Sequence, residues 1–296
     1  MELLAASPAV FIGTCLVLGL AIGSFLNVVI YRLPVMLERE WRTQCVEFGA
    51  TAAPSAPFNL LTPRSSCPAC RKPIASWHNI PLISWLLLKG RCASCRTPIS
   101  VRYPLIEGLT GALSAAVAWH FGFGWPAAGA LVLTWFLIAL TFIDLDTQLL
   151  PDSLTLPLLW GGLCFSLLLA TPDSSSLPVD LRASLIGAIA GYLSLWSVYH
   201  LFRLVTGKEG MGYGDFKLFA ALGAWLGWQM LPLTILAAAL VGAATGLSLI
   251  LLRRHDRNVP IPFGPFLAGA GWLMLMFGPQ LMAQYLSFFP ALAQRN

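Results

Sequence analysis

The sequence has very few charged residues. Of its 296 residues only 10% are charged, and 13 are Asp or Glu, whereas a soluble globular domain carries about 25% charged residues. Hydrophobic residues make up 57% of the chain. This composition excludes an ordinary soluble domain and a disordered chain. Seven cysteines in so long a sequence also exclude a small disulfide scaffold.

A basic segment is missing from the start of the chain. The first apolar run, residues 9–30, has no Lys or Arg before it, and Arg32 follows it. A secretory signal has the opposite order, with a basic segment ahead of a short apolar core. The sequence therefore predicts a retained membrane span with its N-terminus outside the cytoplasm.

The apolar runs predict an all-α polytopic membrane protein with about eight transmembrane helices. The runs are residues 9–30, 104–122, 126–143, 153–170, 183–202, 216–230, 232–252 and 263–286. The expected organisation is a first transmembrane helix within residues 1–31, a soluble insert at residues 32–103, and a seven-helix membrane domain at residues 104–296. The insert holds ten Lys or Arg and four clustered Cys.

The positions of Lys and Arg support this topology. Basic residues favour cytoplasmic loops, and with eight crossings 16 of the 18 fall on the cytoplasmic side, leaving only Arg182 and Arg295 elsewhere. The insert is then cytoplasmic. The weakest predicted span is 216–230, which is short and has Lys217 at its start.

The insert contains two Cys-x-x-Cys knuckles. Cys67-Pro-Ala-Cys70 is followed, after 21 residues, by Cys92-Ala-Ser-Cys95. This spacing is typical of a tetrahedral four-cysteine zinc site, and reduced cytoplasmic thiols favour metal over disulfides. Since four cysteine ligands leave no open position for substrate, we expect the zinc to be structural.

Four of the scarce carboxylates lie where predicted spans meet the cytoplasm. Asp144, Asp146 and Asp152 share one segment, and Asp215 ends the sequence Gly212-Tyr-Gly-Asp. An ionisable residue at a span is a candidate functional group. Asp144 directly follows an apolar run and should be the most desolvated of its segment. Asp152 fits a helix N-cap, while Asp146 is either solvated or orients its neighbour.

Asp144 and Asp215 are the candidates for a shared site. Gly212 and Gly214 precede Asp215, and their missing side chains would let an extended peptide approach closely. Two carboxyls together at a low-dielectric surface do not both ionise easily, so one holds a proton while the other is a base. Such a pair can activate water and protonate a leaving amine. The sequence leaves open whether the two meet or are independent caps and loop charges.

Several segments together resemble the type IV prepilin peptidase family. They are Gly23-Ser-Phe-Leu-Asn-Val-Val-Ile-Tyr-Arg-Leu-Pro34, the four-cysteine cluster, Tyr103-Pro-Leu-Ile-Glu107, residues 144–152, Lys208-Glu-Gly-Met-Gly-Tyr-Gly-Asp-Phe-Lys217 and Pro262-Phe-Gly-Pro265. The resemblance implies that Asp144 and Asp215 are the catalytic pair of a Gly-x-Gly-Asp aspartyl protease. The expected supporting residues are Asp146, Gly212, Gly214 and Glu107.

The resemblance also implies the substrates and the reaction. The family cleaves prepilins and pseudopilins after Gly, at the cytoplasmic face of the bacterial inner membrane, and removes a short basic leader. It then methylates the new N-terminal residue, usually Phe, from S-adenosylmethionine, and it serves type IV pilus biogenesis or type II secretion. The expected N-terminus is periplasmic, and no nucleic-acid partner is expected. Glu107 is a candidate for the methyl-transfer site, or equally a first-turn carboxylate favoured by the helix dipole.

Two other functions fit parts of the pattern. In a metal-dependent membrane transferase, Asp144, Asp146 and Asp152 would hold a divalent ion against a phosphorylated lipid, and Asp215 would matter little. In a zinc-carrying transport or assembly protein, the membrane carboxylates would line an ion path. That protein would cleave no prepilin.

Overall fold

The computed structural model describes residues 5–47, 58–75, 80–169, 177–252 and 261–288. The helices are α1 (Pro8–Glu47), α2 (Ile83–Leu87), α3 (Arg102–Phe121), α4 (Trp125–Thr147), α5 (Asp152–Leu169), α6 (Leu181–Thr206), α7 (Tyr213–Leu226), α8 (Leu231–Leu251) and α9 (Gly264–Phe288), with a 3-10 turn at Trp228–Met230. Apart from two isolated β-bridges, the described residues form no strand. The predicted all-helical fold is confirmed.

The predicted number of spans is not confirmed. Among the described residues, six helices are long and apolar enough to cross a membrane, which makes the chain a multi-pass membrane protein. Helix α7 has 14 residues, or about 21 Å at 1.5 Å per residue, which is short of a hydrocarbon core of about 30 Å. Helix α3 has 20 residues, but Glu107 and His120 interrupt its apolar sequence.

The chain forms two compact units, Met1–Phe123 and Gly124–Asn296. In the first unit, α1 and α3 pack against each other in antiparallel order. A side chain at Gly23 would lie 2.8 Å from the Cα of Glu107, and Asn27 Nδ2 donates to the Tyr103 carbonyl at 3.2 Å. The glycine therefore lets the two helices approach closely at this level.

Helix α1 extends far beyond the first apolar run. The run ends at residue 30, but α1 continues to Glu47 as a helix of 40 residues. Arg32 lies just past the run and is only 8% exposed, because its guanidinium donates to the Asn59 carbonyl at 2.9 Å. The beginning of the insert is thus an extension of α1.

Helix α7 lies at the centre of the second unit. Every residue from 218 to 226 is buried. Helix α6 contacts α7 through small residues: Gly187 meets the backbone of Gly223, and Ser184 Oγ donates to the Ala224 carbonyl at 2.6 Å. Close packing along α7 fixes the position of its first turn, which carries Asp215.

Candidate active site and metal centre

Asp144 lies one turn before the end of α4 and is 5% exposed. Leu140 and Ile143 ahead of it are fully buried. Its Oδ2 accepts a hydrogen bond from the backbone N–H of Gly264 at 3.0 Å. A Cβ at Gly264 would lie 2.5 Å from that oxygen, so this donor position requires glycine. Asp144 is the most buried carboxylate of its segment, since Asp146 is exposed.

Asp215 lies in the first turn of α7 and is 6% exposed. Its Oδ1 is buried and has no hydrogen-bond partner among the residues that the structure describes. Gly212 precedes the helix in an extended conformation and accepts from the Asp215 N–H at 3.2 Å. Gly214 is tightly packed, because a Cβ there would lie 2.6 Å from Cβ of Leu150.

The structure brings Asp144 and Asp215 together from two helices. Leu150 packs against both Gly214, which precedes Asp215, and Gly264, which binds Asp144. Asp215 lies outside the six candidate spans, and its burial, with the nearby charge of Asp144, raises its pKa to about 7. A buried pair in which one carboxyl keeps its proton near neutral pH can serve acid and base chemistry together.

Asp152 has a partner that sequence reasoning missed. It is the first residue of α5 and not the predicted cap before the helix, and both of its carboxylate oxygens accept from Lys217 Nζ, at 2.6 and 2.8 Å. Lys217 follows Asp215 by two residues on α7. The sequence offered no signal for this ion pair, because its residues are 65 positions apart.

The carboxylates of residues 144–152 do not form a cation site. Among the described residues, the only group of three or more Cys, His, Asp or Glu that could hold a metal ion is the four-cysteine cluster. Asp144 is buried, Asp146 is exposed, and Asp152 is bound to Lys217. This geometry does not support the divalent-ion transferase.

The two cysteine knuckles have the same backbone structure. In the first, Arg71 N donates to the Cys67 carbonyl at 2.8 Å; in the second, Arg96 N donates to the Cys92 carbonyl at 3.0 Å. Both arginines have positive φ angles, 57° and 58°. Each knuckle is closed by one isolated bridge, Ser66 to Pro73 and Arg91 to Pro98.

The four sulfurs converge on one point, as their spacing predicts. The Sγ atoms of Cys67, Cys70, Cys92 and Cys95 all lie within 4.8 Å of one another. The Cys67 and Cys95 sulfurs are 3.7 Å apart, close to the roughly 3.8 Å between sulfurs of a tetrahedral site with 2.3 Å Zn–S bonds. The cluster has the donors and the dimensions of a metal site.

Glu107 connects the insert to α3. Its Oε2 accepts from the backbone N–H of Leu82 at 2.8 Å, just before α2, and its Cα packs against Gly23. Glu107 therefore fixes the backbone where the insert meets the membrane helices. Neither the carboxyl pair nor the cysteine cluster includes it.

The fold and these two sites define a multi-pass helical membrane protein with a buried carboxyl pair in one unit and a four-cysteine cluster in the other. Residues 17–121 match the family model of the bacterial peptidase A24 N-terminal domain. Residues 131–247 match the type IV leader peptidase family. The chain belongs to this family, as the resemblance predicts.

Named relatives align with this chain along almost its whole length. The chain is 56% identical over 290 residues to the prepilin leader peptidase/N-methyltransferase of Stutzerimonas stutzeri, covering 97% of this chain and 98% of the relative. The protein of the same name from Aeromonas hydrophila is 55% identical over 292 residues, with 98% of each chain covered. That of Pseudomonas aeruginosa is 53% identical over 290 residues, with coverage of 97% and 98%. No solved structure matches the chain.

Proposed function

We propose that this protein is a membrane-embedded aspartyl endopeptidase and N-methyltransferase that processes prepilins and pseudopilins, with Asp144 and Asp215 as its catalytic pair. The main supporting observation is that the fold brings two buried carboxyls together from α4 and α7. The names of the relatives, which share more than half of the aligned residues, support the same reaction.

The surroundings of the two carboxyls suggest their roles. The Gly264 N–H donates to Oδ2 of Asp144 and so fixes the orientation of this carboxyl, which we assign as the base that takes a proton from water. Asp215, with a pKa of about 7, holds the proton that the leaving amine needs. Water attack on the peptide carbonyl and protonation of the amine then occur on one pair.

Space beside Asp215 suits an extended peptide. Within the described parts of the chain, a Cβ at Gly212 would meet one atom within 4 Å, Oδ2 of Asp215 at 3.7 Å. The Gly212 backbone is therefore open on the side next to the carboxyl. We assign Gly212 and Gly214 to substrate approach and packing, and we expect Asp146, which is exposed, to contribute less.

We propose zinc as the metal of the four-cysteine cluster. Four thiolates suit zinc, and they leave no position for a substrate. When bound, the ion would stabilise the two knuckles without taking part in catalysis. A Cys67→Ser and Cys92→Ser protein should lose the roughly one zinc per chain that metal analysis of the native protein should find, and retention would refute the assignment.

The sequence offers one residue for methylation. Glu107 is the one candidate from the sequence, but one of its oxygens is already bonded to Leu82 N, and no other described group is assigned to S-adenosylmethionine. The methyltransferase activity rests on the relatives. We further propose a bacterial inner-membrane location, a periplasmic N-terminus, a cytoplasmic active site, and the division into residues 1–31, 32–103 and 104–296.

The test is cleavage of a prepilin-like substrate by the full chain in detergent. Asp144→Asn and Asp215→Asn should each lower the cleavage rate by at least about a thousandfold, while the matched variant Asp146→Asn should lower it much less. Adding S-adenosylmethionine should increase the mass of the cleaved product by one methyl group. Full cleavage by the Asp215→Asn protein would refute the catalytic pair.

A further inference from the structure

The short helix α2 carries an apolar face that no described residue covers. Ile83, Leu86 and Leu87 are 55%, 65% and 77% exposed. They occupy positions i, i+3 and i+4, which lie on one side of a helix, while Ser84 on the other side is buried. Contiguous exposed apolar side chains of this kind mark a surface that binds a protein or a membrane.

Two contacts hold α2 rigidly in the first unit. Glu107 Oε2 binds Leu82 N at 2.8 Å. Trp85 Nε1 donates to the Ile99 carbonyl at 3.3 Å, and its ring lies against Gly90, where a Cβ would be 2.8 Å from the indole. Helix α2 is thus fixed both to α3 and to the second cysteine knuckle.

These contacts place α2 at the depth of the bilayer surface. Glu107, which binds the start of α2, packs against Gly23 of α1. Gly23 lies seven residues before Ile30, the end of the first apolar run, or about 10 Å along the helix axis. An interfacial helix buries its apolar face about 5–10 Å into the boundary between headgroups and acyl chains.

The residues around this face are basic. Lys89 and Arg91 follow α2 directly and are exposed, as is Arg96. Between Glu47 and Glu107 the sequence contains seven Lys or Arg and no Asp or Glu. A zinc ion with four thiolate ligands carries two negative charges, and the net charge of the insert stays positive when they are included. Such a surface is attracted to anionic lipid headgroups within a Debye length.

We infer that the four-cysteine insert docks on the membrane surface through α2, with Ile83, Leu86 and Leu87 in the bilayer and Lys89 and Arg91 on anionic phospholipid headgroups. The depth of α2, its exposed apolar face and the net positive charge of the insert are together those expected of a helix that binds an anionic lipid surface. This docking is independent of the proposed peptidase activity, and its test does not use cleavage.

Hydrogen exchange of the full chain in lipid nanodiscs tests the proposal. With about 30% phosphatidylglycerol, residues 80–91 should exchange about tenfold more slowly than in pure phosphatidylcholine, and high salt should reduce this difference. Lys89→Gln with Arg91→Gln should abolish the dependence on phosphatidylglycerol. Leu86→Gln with Leu87→Gln should speed exchange in both lipids, and the control Lys208→Gln, on an exposed residue of the other unit, should change neither.

Exchange of the first knuckle, residues 64–75, reports whether each variant keeps its fold. Equal exchange of residues 80–91 in the two lipids would overturn the proposal. So would protection that persists without lipid and increases with protein concentration, because the apolar face would then bind a second copy of the chain.

Discussion

Replacing Gly264 by Ala should disable Asp144 without unfolding the protein. The Gly264 N–H donates to Asp144 Oδ2 at 3.0 Å, and a Cβ at this position would lie 2.5 Å from the same oxygen and 3.2 Å from Leu150 Cδ1. To restore an ordinary contact of 3.4 Å, the carboxyl must move by 0.9 Å. Misplacing a reacting group by about 1 Å costs about a hundredfold in rate.

The backbone at Gly264 gives no other reason for a loss of activity in the alanine variant. Gly264 begins α9 without a positive φ angle, and alanine favours a helix by up to about 1 kcal/mol over glycine. Gly269, on the same helix, is the matched control, because no atom of the described residues lies within 4 Å of a Cβ there. Gly269→Ala should cleave at the native rate.

The assay is steady-state cleavage of a prepilin-like peptide by detergent-purified variants. We expect Gly264→Ala to lower kcat by about ten- to a hundredfold with a smaller change in KM, and its melting temperature should stay within a few degrees of the native value. Native kcat in the Gly264→Ala protein would refute the role of this N–H in holding Asp144. Equal losses in both glycine variants would show that the effect belongs to α9 as a whole.

Three further predictions concern packing, charge and pH. Gly187→Ala should destabilise the second unit by roughly 1–3 kcal/mol, since its Cβ would overlap the Gly223 backbone; a melting temperature as high as that of Gly269→Ala would contradict the close contact of α6 and α7. Asp152→Asn should lower the free energy of unfolding by no more than about 1 kcal/mol, because its carboxylate is 57% exposed in the Lys217 ion pair; a much larger loss of stability would contradict a solvent-screened pair. The raised pKa of Asp215, about 7, means that the carboxyl holds its proton below that pH and loses it above. Because the acid must be protonated, kcat/KM should fall as pH rises through about 7. A flat profile of kcat/KM to pH 9 would rule out Asp215 as the acid.

The sequence was most informative where function depends on local spacing. The cysteine knuckles could be predicted because two Cys-x-x-Cys turns determine where their sulfurs point. Asp144 could be distinguished from Asp146 because only Asp144 continues the apolar sequence of α4. In a chain with so few carboxylates, each one near a span was a strong candidate.

Features that depend on tertiary packing could not be predicted. The Gly264 N–H reaches Asp144 across 120 positions, and no local pattern indicates a backbone donor. Helix α7 has a span-like composition because it is buried by protein, and hydropathy does not distinguish burial in protein from burial in lipid. Its 14 residues account for one of the two apolar runs that are not candidate spans. The polar residues of α3 account for the other.

A double-mutant cycle of cleavage rates tests whether Asp144 and Asp215 act as one catalytic pair. Residues of one catalytic unit are strongly non-additive. We therefore predict that Asp144→Asn, Asp215→Asn and the double variant all show the same residual rate, at least about a thousandfold below the native rate. Losses that multiply in the double variant, or a single variant that retains native cleavage, would show that the two carboxyls do not act as one pair.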